Sequence, residues 1–532
     1  MTNHIVNVYP HGRKIQVADG STLLGNLIDH SIFLRSDCGG KGVCGKCLVE
    51  IRHNDGALET IEACLVKVSG NLSIEIPTAS LLSSHIVKKT PATLPISFSQ
   101  SFDKTAALPP SYGVAVDIGT TTIAIYLCNM NSGTVLSSMS VKNPQAIYGD
   151  DVMSRIGVVA KEKENLVRLQ KLVVKTVEWG CQELASFQKI QTSDIEKMMA
   201  VGNPAMLHIF LGIDPVSIGV APYQPAFYEA QRVEGEQLGF EQLTCPVHTL
   251  PQISGFLGGD ILAAAIGAEM GQRQTGTLLV DIGTNGELIY KGEHGLYATS
   301  CATGPAFEGA SLSCGMQAIP GAIDKVILAG SLMAPEYSVI QMSNYEVKMP
   351  PLGLCGSGVI SATAELYRAG VIDSGGGMAV DDSIVSLQKN RSGMKEYLIA
   401  AKGKDQKSKD VVISQKDIRS IQLGKAALIT GVDFLLKKEG VSVPEQIVVA
   451  GAFGSYLDKK DMMILGMIPQ VPEEKIEIAG NLAGAGAVMA LCDERYLQLA
   501  KYLATITVVI DLATNIEFQE VFIENLGFPN PL

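Results

Sequence analysis

The sequence predicts an α/β protein in which a small cysteine-bearing module precedes two similar halves, and three observations carry this expectation. The stretch Gly113-Val114-Ala115-Val116-Asp117-Ile118-Gly119-Thr120-Thr121-Thr122 is an apolar run that delivers an Asp, a Gly and three hydroxyl residues. A second apolar run, Ile123 to Leu127, follows it, so it reads as a buried strand, a tight turn and a returning strand. The pattern returns 164 residues on as Leu278-Leu279-Val280-Asp281-Ile282-Gly283-Thr284-Asn285-Gly286-Glu287, before apolar Leu288-Ile289-Tyr290. An internal echo at domain-sized spacing implies two related halves with a cleft between them. The third observation is a glycine-rich loop near the N-terminus that holds Cys38, Cys44 and Cys47.

Composition bounds the rest. At about 150 residues per domain, 532 residues suggest roughly three to four domains. With 46% hydrophobic and 18% charged residues and 54 glycines, the chain reads as globular α/β, rich in turns and close backbone approaches. A formal charge of -12 argues against general affinity for nucleic acid or an anionic membrane. No run of about 18 uncharged apolar residues is present, and polar residues are interspersed throughout the first 19. The expectation is therefore a cytoplasmic protein without membrane span or signal peptide. In such a chain, eleven cysteines suggest metal ligation before disulfides.

Residues 1–76 form the first module. Val6 and Val8, then Ile15 and Val17, alternate with polar residues around a Pro-His-Gly turn and predict a β-hairpin, after which Ser21 or Thr22 can cap a helix through Leu23, Leu24, Leu27 and Ile28. Cys38, Cys44 and Cys47 are spaced by five and then two residues in a loop with four glycines, and Cys64 lies beyond the strand-like Leu48 to Arg52. Such a loop wraps closely around something small while backbone N–H groups point at its sulfurs, which suits an iron-sulfur cluster. A structural zinc site would need two separate two-thiol knuckles, and only one is present. The spacing resembles vertebrate-type and plant-type [2Fe-2S] ferredoxins, whose loop is followed by a distant fourth ligand. Cys64 is the candidate inside the module, although its separation from Cys47 is shorter than in those ferredoxins.

Residues 77–112, rich in Ser, Thr, Pro and Lys, offer little to a core and predict a flexible linker that spans up to roughly 100 Å if extended. It serves either as a passive tether or to swing the cluster module between partners.

In residues 113–532, divided at about 275, each Asp-x-Gly-Thr hairpin can hold a phosphate. Gly119 with Thr120, Thr121 and Thr122, and Gly283 with Thr284, Asn285 and Gly286, offer backbone N–H groups and hydroxyls, while Asp117 and Asp281 can hold magnesium or its water. Gly258-Gly259-Asp260 opens a small-residue helix to Ala268, with Asp260 suited to a position across the phosphate site. Gly480 to Ala487 opens a second such helix, and strand Ile447 to Ala450 delivers Gly451-Ala452-Phe453-Gly454, where an adenine ring can lie against backbone. Gly356-Ser357-Gly358 at a helix start has an anion-binding look. His208 reads as a core residue, Cys301, Cys314 and Cys355 as ordinary thiols, and Lys402, Lys404, Lys407 and Lys409 as a solvated loop.

These pieces, in this order, resemble the superfamily of acetate and sugar kinases, heat-shock ATPases and actin. The resemblance implies a β-grasp ferredoxin-like domain followed by a duplicated actin-like, ribonuclease H-like ATPase domain. Asn143-Pro144-Gln145, Gly304-Pro305-Ala306-Phe307-Glu308-Gly309 and Gln415-Lys416-Asp417-Ile418-Arg419, joined to the cysteine module, narrow it to the ATP-dependent reductive activators of corrinoid proteins. Some members insert a separate middle domain, for which the 36 residues of 77–112 leave no room. The resemblance implies one-electron reduction of a Co(II) corrinoid to Co(I) for a methyltransferase system such as an O-demethylase, with a [2Fe-2S] cluster, ATP and Mg2+. The implied partners are the corrinoid protein and an upstream electron donor; association into a homodimer is left open. On this reading Ser300 and Thr303, in the loop after the second hairpin, lie close to the cobalt; alternatively the loop binds phosphate through Gly304. Two other functions remain open: a metabolite kinase with an accessory ferredoxin, and an ATP-gated chaperone-like module whose cluster is structural.

Overall fold

Alternation at the N-terminus produces the hairpin it predicts. In this computed structural model, strands Asn3–Tyr9 and Arg13–Ala18 pair antiparallel with Val6 opposite Ile15, and Val6, Val8, Ile15 and Val17 are all buried. Thr22 is the helix cap: its side chain accepts from the Gly25 N–H at 3.3 Å and opens Leu23–Asp29. The five-stranded sheet runs in the order Arg13–Ala18, Asn3–Tyr9, Leu72–Glu75, Leu48–Arg52, Leu58–Glu62. Its central pair is parallel, and the helix buries Leu23, Leu24, Leu27 and Ile28 in the same core, which is the β-grasp arrangement.

The structure describes residues 3–10, 12–30, 32–34, 36, 40, 42, 45–53, 56–77, 80, 94–102, 109–149, 151–309, 312–316, 318–328, 335–341, 348–379, 384, 386–401, 410–451 and 457–530. Cys38, Cys44, Ala452, Phe453, Gly454 and the lysines 402–409 lie outside them. The chain divides into two compact units: Met1–Thr90 with Ser99–Gly259 and Ala490–Glu494, and Pro91–Phe98 with Asp260–Met489 and Arg495–Leu532.

The duplication read from the two hairpins extends to whole sheets. One sheet runs Arg232–Glu234, Pro246–Thr249, Ile195–Gly202, Tyr112–Ile118, Thr122–Asn129, Thr134–Lys142; the other runs Ile476–Gly480, Gln446–Ala450, Thr277–Ile282, Gly286–Lys291, Leu296–Cys301, Thr507–Val509. In each, the strand that ends in the Asp pairs parallel with its neighbour on one side and antiparallel with the returning strand on the other. The first sheet is covered by helix Glu164–Gln188, which buries Leu169, Leu172, Val173, Val177, Cys181 and Leu184 at helical spacing. In the same unit, Phe33 of the N-terminal module meets Trp179 of this helix edge-on, ring centres 6.4 Å apart.

Two expectations are corrected. The segment 77–112 does contribute to cores: Ile96–Gln100 is a short helix, Phe98 is fully buried with its ring 5.7 Å from that of Tyr496, and Phe102 packs against Gly133. The glycines that open helix Gly356–Arg368 serve close packing, because a Cβ on Gly356 would stand 1.9 Å from the Phe307 carbonyl oxygen and one on Gly358 2.1 Å from that of Ile323. Among the described residues no helix is long and apolar enough to cross a membrane.

Candidate nucleotide and cluster sites

The first hairpin is held from behind by side chains that sequence reasoning did not single out as functional. Gly119 N–H donates to the Thr122 carbonyl at 3.0 Å, and a Cβ on Gly119 would lie 2.6 Å from that oxygen, so the turn admits only glycine. Asn143 Nδ2 donates to the Gly119 carbonyl at 2.9 Å. Arg155, completely buried, donates through one nitrogen to the Thr120 carbonyl at 2.6 Å and through others to Gln145 Oε1 and the Gly149 carbonyl, both at 3.0 Å. Asn203 Nδ2 donates to Thr120 Oγ1 at 3.0 Å while its Oδ1 accepts from Met206 N–H, capping helix Pro204–Leu211. The amide is thereby fixed, and Thr120 keeps its hydroxyl proton for another acceptor. Asp117, Gly119, Thr121 and Thr122 are half-buried at the mouth of the turn.

The second hairpin repeats this construction with different residues. Gly283 N–H donates to Asn285 carbonyl at 3.0 Å, and Thr303 Oγ1, buried, lies 2.9 Å from the Gly283 carbonyl and 3.0 Å from that of Thr284. Thr284 Oγ1 donates to Glu308 Oε1 at 2.7 Å. Asp281, Glu287 and Ser300 occupy one row across three adjacent strands, and Asp117 stands in the equivalent position of its own strand, next to last before the turn. Gly286 opens the returning strand opposite Ile282. Gly304, at φ 73°, leads into the 3-10 helix Pro305–Glu308. Thr299 donates to the Ile510 carbonyl at 2.7 Å, and Cys301 is buried, which pushes its thiol well above its ordinary range.

Gly451 follows strand Gln446–Ala450 with φ 120°, and a Cβ there would lie 2.3 Å from the Ile282 carbonyl oxygen, so backbone meets backbone beside the second hairpin. The predicted small-residue helices are Gly259–Gly267 and Leu482–Cys492. They touch through main chain: a Cβ on Gly486 would lie 1.9 Å from the Ala263 carbonyl oxygen. Asp260 is in the first turn of the former, its Oδ1 accepting from Ile261 N–H at 2.9 Å.

In the N-terminal module, Cys47 and Cys64 lie side by side. Their sulfurs and a Glu62 carboxylate oxygen fall within 4.8 Å of one another, and both thiols are buried. Among the described residues this is the grouping of His, Cys, Asp and Glu compact enough for a metal. The loop approaches through Gly40, Gly42 and Gly45, all at positive φ, with Gly40 N–H donating to Ser36 Oγ at 2.9 Å. Two buried thiols side by side, Cys47 at the end of a glycine-lined loop and Cys64 in the turn after strand Leu58–Glu62, fit thiolate ligation of a cluster.

The remaining candidates have structural surroundings. His208 is fully buried, donates from Nδ1 to the Pro204 carbonyl at 2.7 Å, accepts at Nε2 from Ala226 N–H at 2.9 Å and stacks on Phe227; burial lowers its pKa. Cys355 Sγ lies 3.3 Å from the Ile323 carbonyl, and Cys314 Sγ accepts from Val412 N–H at 3.4 Å. In Gln415–Arg419, Asp417 closes a capping box with Ser414, Gln415 Nε2 donates to the Gly376 carbonyl at 2.6 Å, and Arg419 donates to the Gly375 carbonyl, so the motif braces a glycine loop.

Comparison with known proteins agrees with this construction. Residues 6–69 match the 2Fe-2S iron-sulfur cluster binding domain, 112–273 the RACo middle region, and 275–531 the C-terminal domain of RACo, the ASKHA domain. The middle-region match falls on the first of the two halves; it does not require an additional inserted domain. Fold and sites together define an iron-sulfur ATPase. Corrinoid activation enzyme RamQ of Eubacterium limosum is 30% identical over 92% of this chain and 93% of its own length, and the chain belongs to the family of corrinoid activation enzymes. The [Co(II) methylated amine-specific corrinoid protein] reductase of Methanosarcina barkeri is 23% identical over 78% of this chain and 77% of its own. The solved structure of a reductive activator for corrinoid, iron-sulfur protein superposes with a TM-score of 0.72 at 26% identity, covering 99% of this chain and 98% of the other.

Proposed function

We propose that the protein carries out ATP-dependent reductive activation of a corrinoid protein, one electron converting a Co(II) corrinoid to the Co(I) form used by a methyltransferase system. The observation that carries this reading is the union, in one chain of this family, of a thiol-lined cluster loop with two like-built phosphate hairpins. The domains are 1–76, 77–112 and 113–532, the last in halves divided at about 275. Cys38, Cys44, Cys47 and Cys64 would hold the [2Fe-2S] cluster, which supplies a one-electron donor at roughly −400 mV in plant-type proteins.

The residues of the hairpins bind and orient nucleotide. Gly119, Thr120, Thr121 and Thr122 from one hairpin, and Gly283, Thr284, Asn285 and Gly286 from the other, offer donors to the phosphates of ATP. Asp117 and Asp281 hold Mg2+ or its water, and Asp260, suited to a position across the phosphate site from the second hairpin, is a further catalytic carboxylate. Gly451, Ala452, Phe453 and Gly454 support the adenine. Asn203 donates to the Thr120 oxygen and leaves that hydroxyl's proton for a phosphate, while Thr303 bonds the carbonyls of the second hairpin, which favours the phosphate side for the loop that carries Gly304. Ser300 stands in strand Leu296–Cys301 and not in the loop expected from the sequence; half-buried in the row of Asp281, it is the hydroxyl placed to sense a change at the second hairpin.

Nucleotide is needed because the cobalt couple lies well below the cluster. For a one-electron step, about every 60 mV uphill costs a factor of roughly ten in equilibrium. Closure on ATP supplies the difference by altering the cobalt ligands or releasing the reduced product. Asp281→Ala tests the reading: ATP turnover should vanish while cluster absorption persists, and undiminished turnover would refute the nucleotide assignment.

A further inference from the structure

The two halves follow one plan from the third strand to the helix behind each phosphate hairpin, although the side chains that brace the hairpins differ. In each, the third strand of the sheet leads into a 3-10 helix opened by proline, Pro144–Ile147 in the first and Pro305–Glu308 in the second. In each, a side chain just ahead of that helix donates to the carbonyl of the hairpin glycine: Asn143 to Gly119 and Thr303 to Gly283, both at 2.9 Å. The first helix ends on Ile147. The second ends on a carboxylate, Glu308.

That carboxylate is aimed at the hairpin. Glu308 Oε1 accepts the Thr284 hydroxyl at 2.7 Å and lies 3.8 Å from where a Cβ would stand on Gly283. Its other oxygen accepts nothing from the described residues, and the side chain is half-buried rather than sealed. Main-chain packing on both sides holds it there: a Cβ on Gly309 would lie 2.4 Å from the Met316 carbonyl oxygen, and the Phe307 carbonyl abuts Gly356. A rigid loop thus carries an acceptor-only group to a turn that otherwise offers donors. This arrangement does not help bind a phosphate, because a carboxylate repels one. It suits a water molecule beside the phosphate.

We propose that Glu308 is the catalytic base of ATP hydrolysis, a proposal that rests on the second hairpin being a phosphate site. In the step, the oxygen of water bonds to the γ-phosphorus as the bond from that phosphorus to the bridging oxygen of ADP breaks. The proton lost by the water passes to the Glu308 carboxylate and then to solvent, leaving ADP and phosphate. Asp117 and Asp281 are poorer bases for this task, since a carboxylate that holds magnesium has its lone pairs engaged. The hairpin carbonyls of Gly283 and Thr284 already face the Thr303 hydroxyl.

Glu308→Gln separates this role from a merely structural one. The amide oxygen still accepts from Thr284, but the side chain cannot take a proton. With the full cluster-loaded chain and a Co(II) corrinoid protein, turnover should fall by about 10²- to 10⁴-fold, the usual yield of a general base. The ATP dissociation constant and cluster absorption should stay within about twofold of the parent values. Three outcomes would overturn the assignment: parental turnover in Glu308→Gln, loss of ATP binding, which marks a positioning residue, or recovery of turnover on raising magnesium, which marks a metal ligand. Failure of the parent chain itself to hydrolyse ATP would instead refute the nucleotide reading beneath it.

Discussion

At the scale of single residues, the clearest consequence concerns Cys64. Its sulfur lies beside that of Cys47 despite the short stretch between them, so Cys64→Ala should abolish the visible absorption of the cluster; an unchanged spectrum and potential would move the fourth ligand elsewhere. Gly451→Ala should cost about 1–3 kcal/mol in backbone strain alone, beyond the clash with Ile282, and should weaken ATP binding measurably by calorimetry. His208 makes a pH statement. Its pKa is lowered from 6.5 in the folded chain, so below that value the unfolded chain binds the extra proton and is favoured. Its contribution is present above pH 6.5 and lost as pH falls, so denaturation midpoints should drop on acidification more in the parent than in a folded His208→Gln variant. The aspartates and glycines of the hairpins were legible in the sequence because their pattern is local. Their supports were not: Arg155 reaches Thr120 across 35 positions and Asn203 across 83, and a buried Arg or Asn carries no periodic signal.

At the scale of elements, strands and helices followed hydrophobic period closely. Strand Gln446–Ala450 begins within a residue of the apolar run read from Ile447, and helix Glu164–Gln188 buries a stripe at 3.6-residue spacing. The helix that opens at Gly356 was misread as an anion site because glycines at a helix start have two explanations, and only the Phe307 carbonyl 1.9 Å from the Gly356 Cβ position decides between them. The segment 77–112 was misread for a related reason: Phe98 and Phe102 stand alone among polar residues, and isolated apolar residues show no period even when each fills a core. The contact between helices Gly259–Gly267 and Leu482–Cys492 gives an element-scale prediction. Gly486→Val would drive methyls into the Ala263 carbonyl, so it should destabilise the chain by about 1–3 kcal/mol or more, read as a lower urea midpoint.

At the scale of the molecule, the repeat of the Asp-x-Gly-Thr hairpin was enough to foresee a duplicated fold, and the sheets extend it to a shared order of five strands. What the repeat could not disclose is where the symmetry breaks, since Glu308 acquires meaning only when Thr284 is seen to donate to it. The cluster module and the ATPase fold serve one purpose only if nucleotide drives an electron uphill, and this coupling is the central claim. It is tested most directly by following the Co(II) absorption of a candidate corrinoid protein, with the cluster-loaded chain and a reductant, in the presence and absence of ATP and magnesium. The account predicts that the Co(II) band gives way to Co(I) only with ATP, and not at all with Asp281→Ala. Reduction at the same rate without nucleotide, or a phosphorylated small molecule formed with no electron donor present, would contradict it.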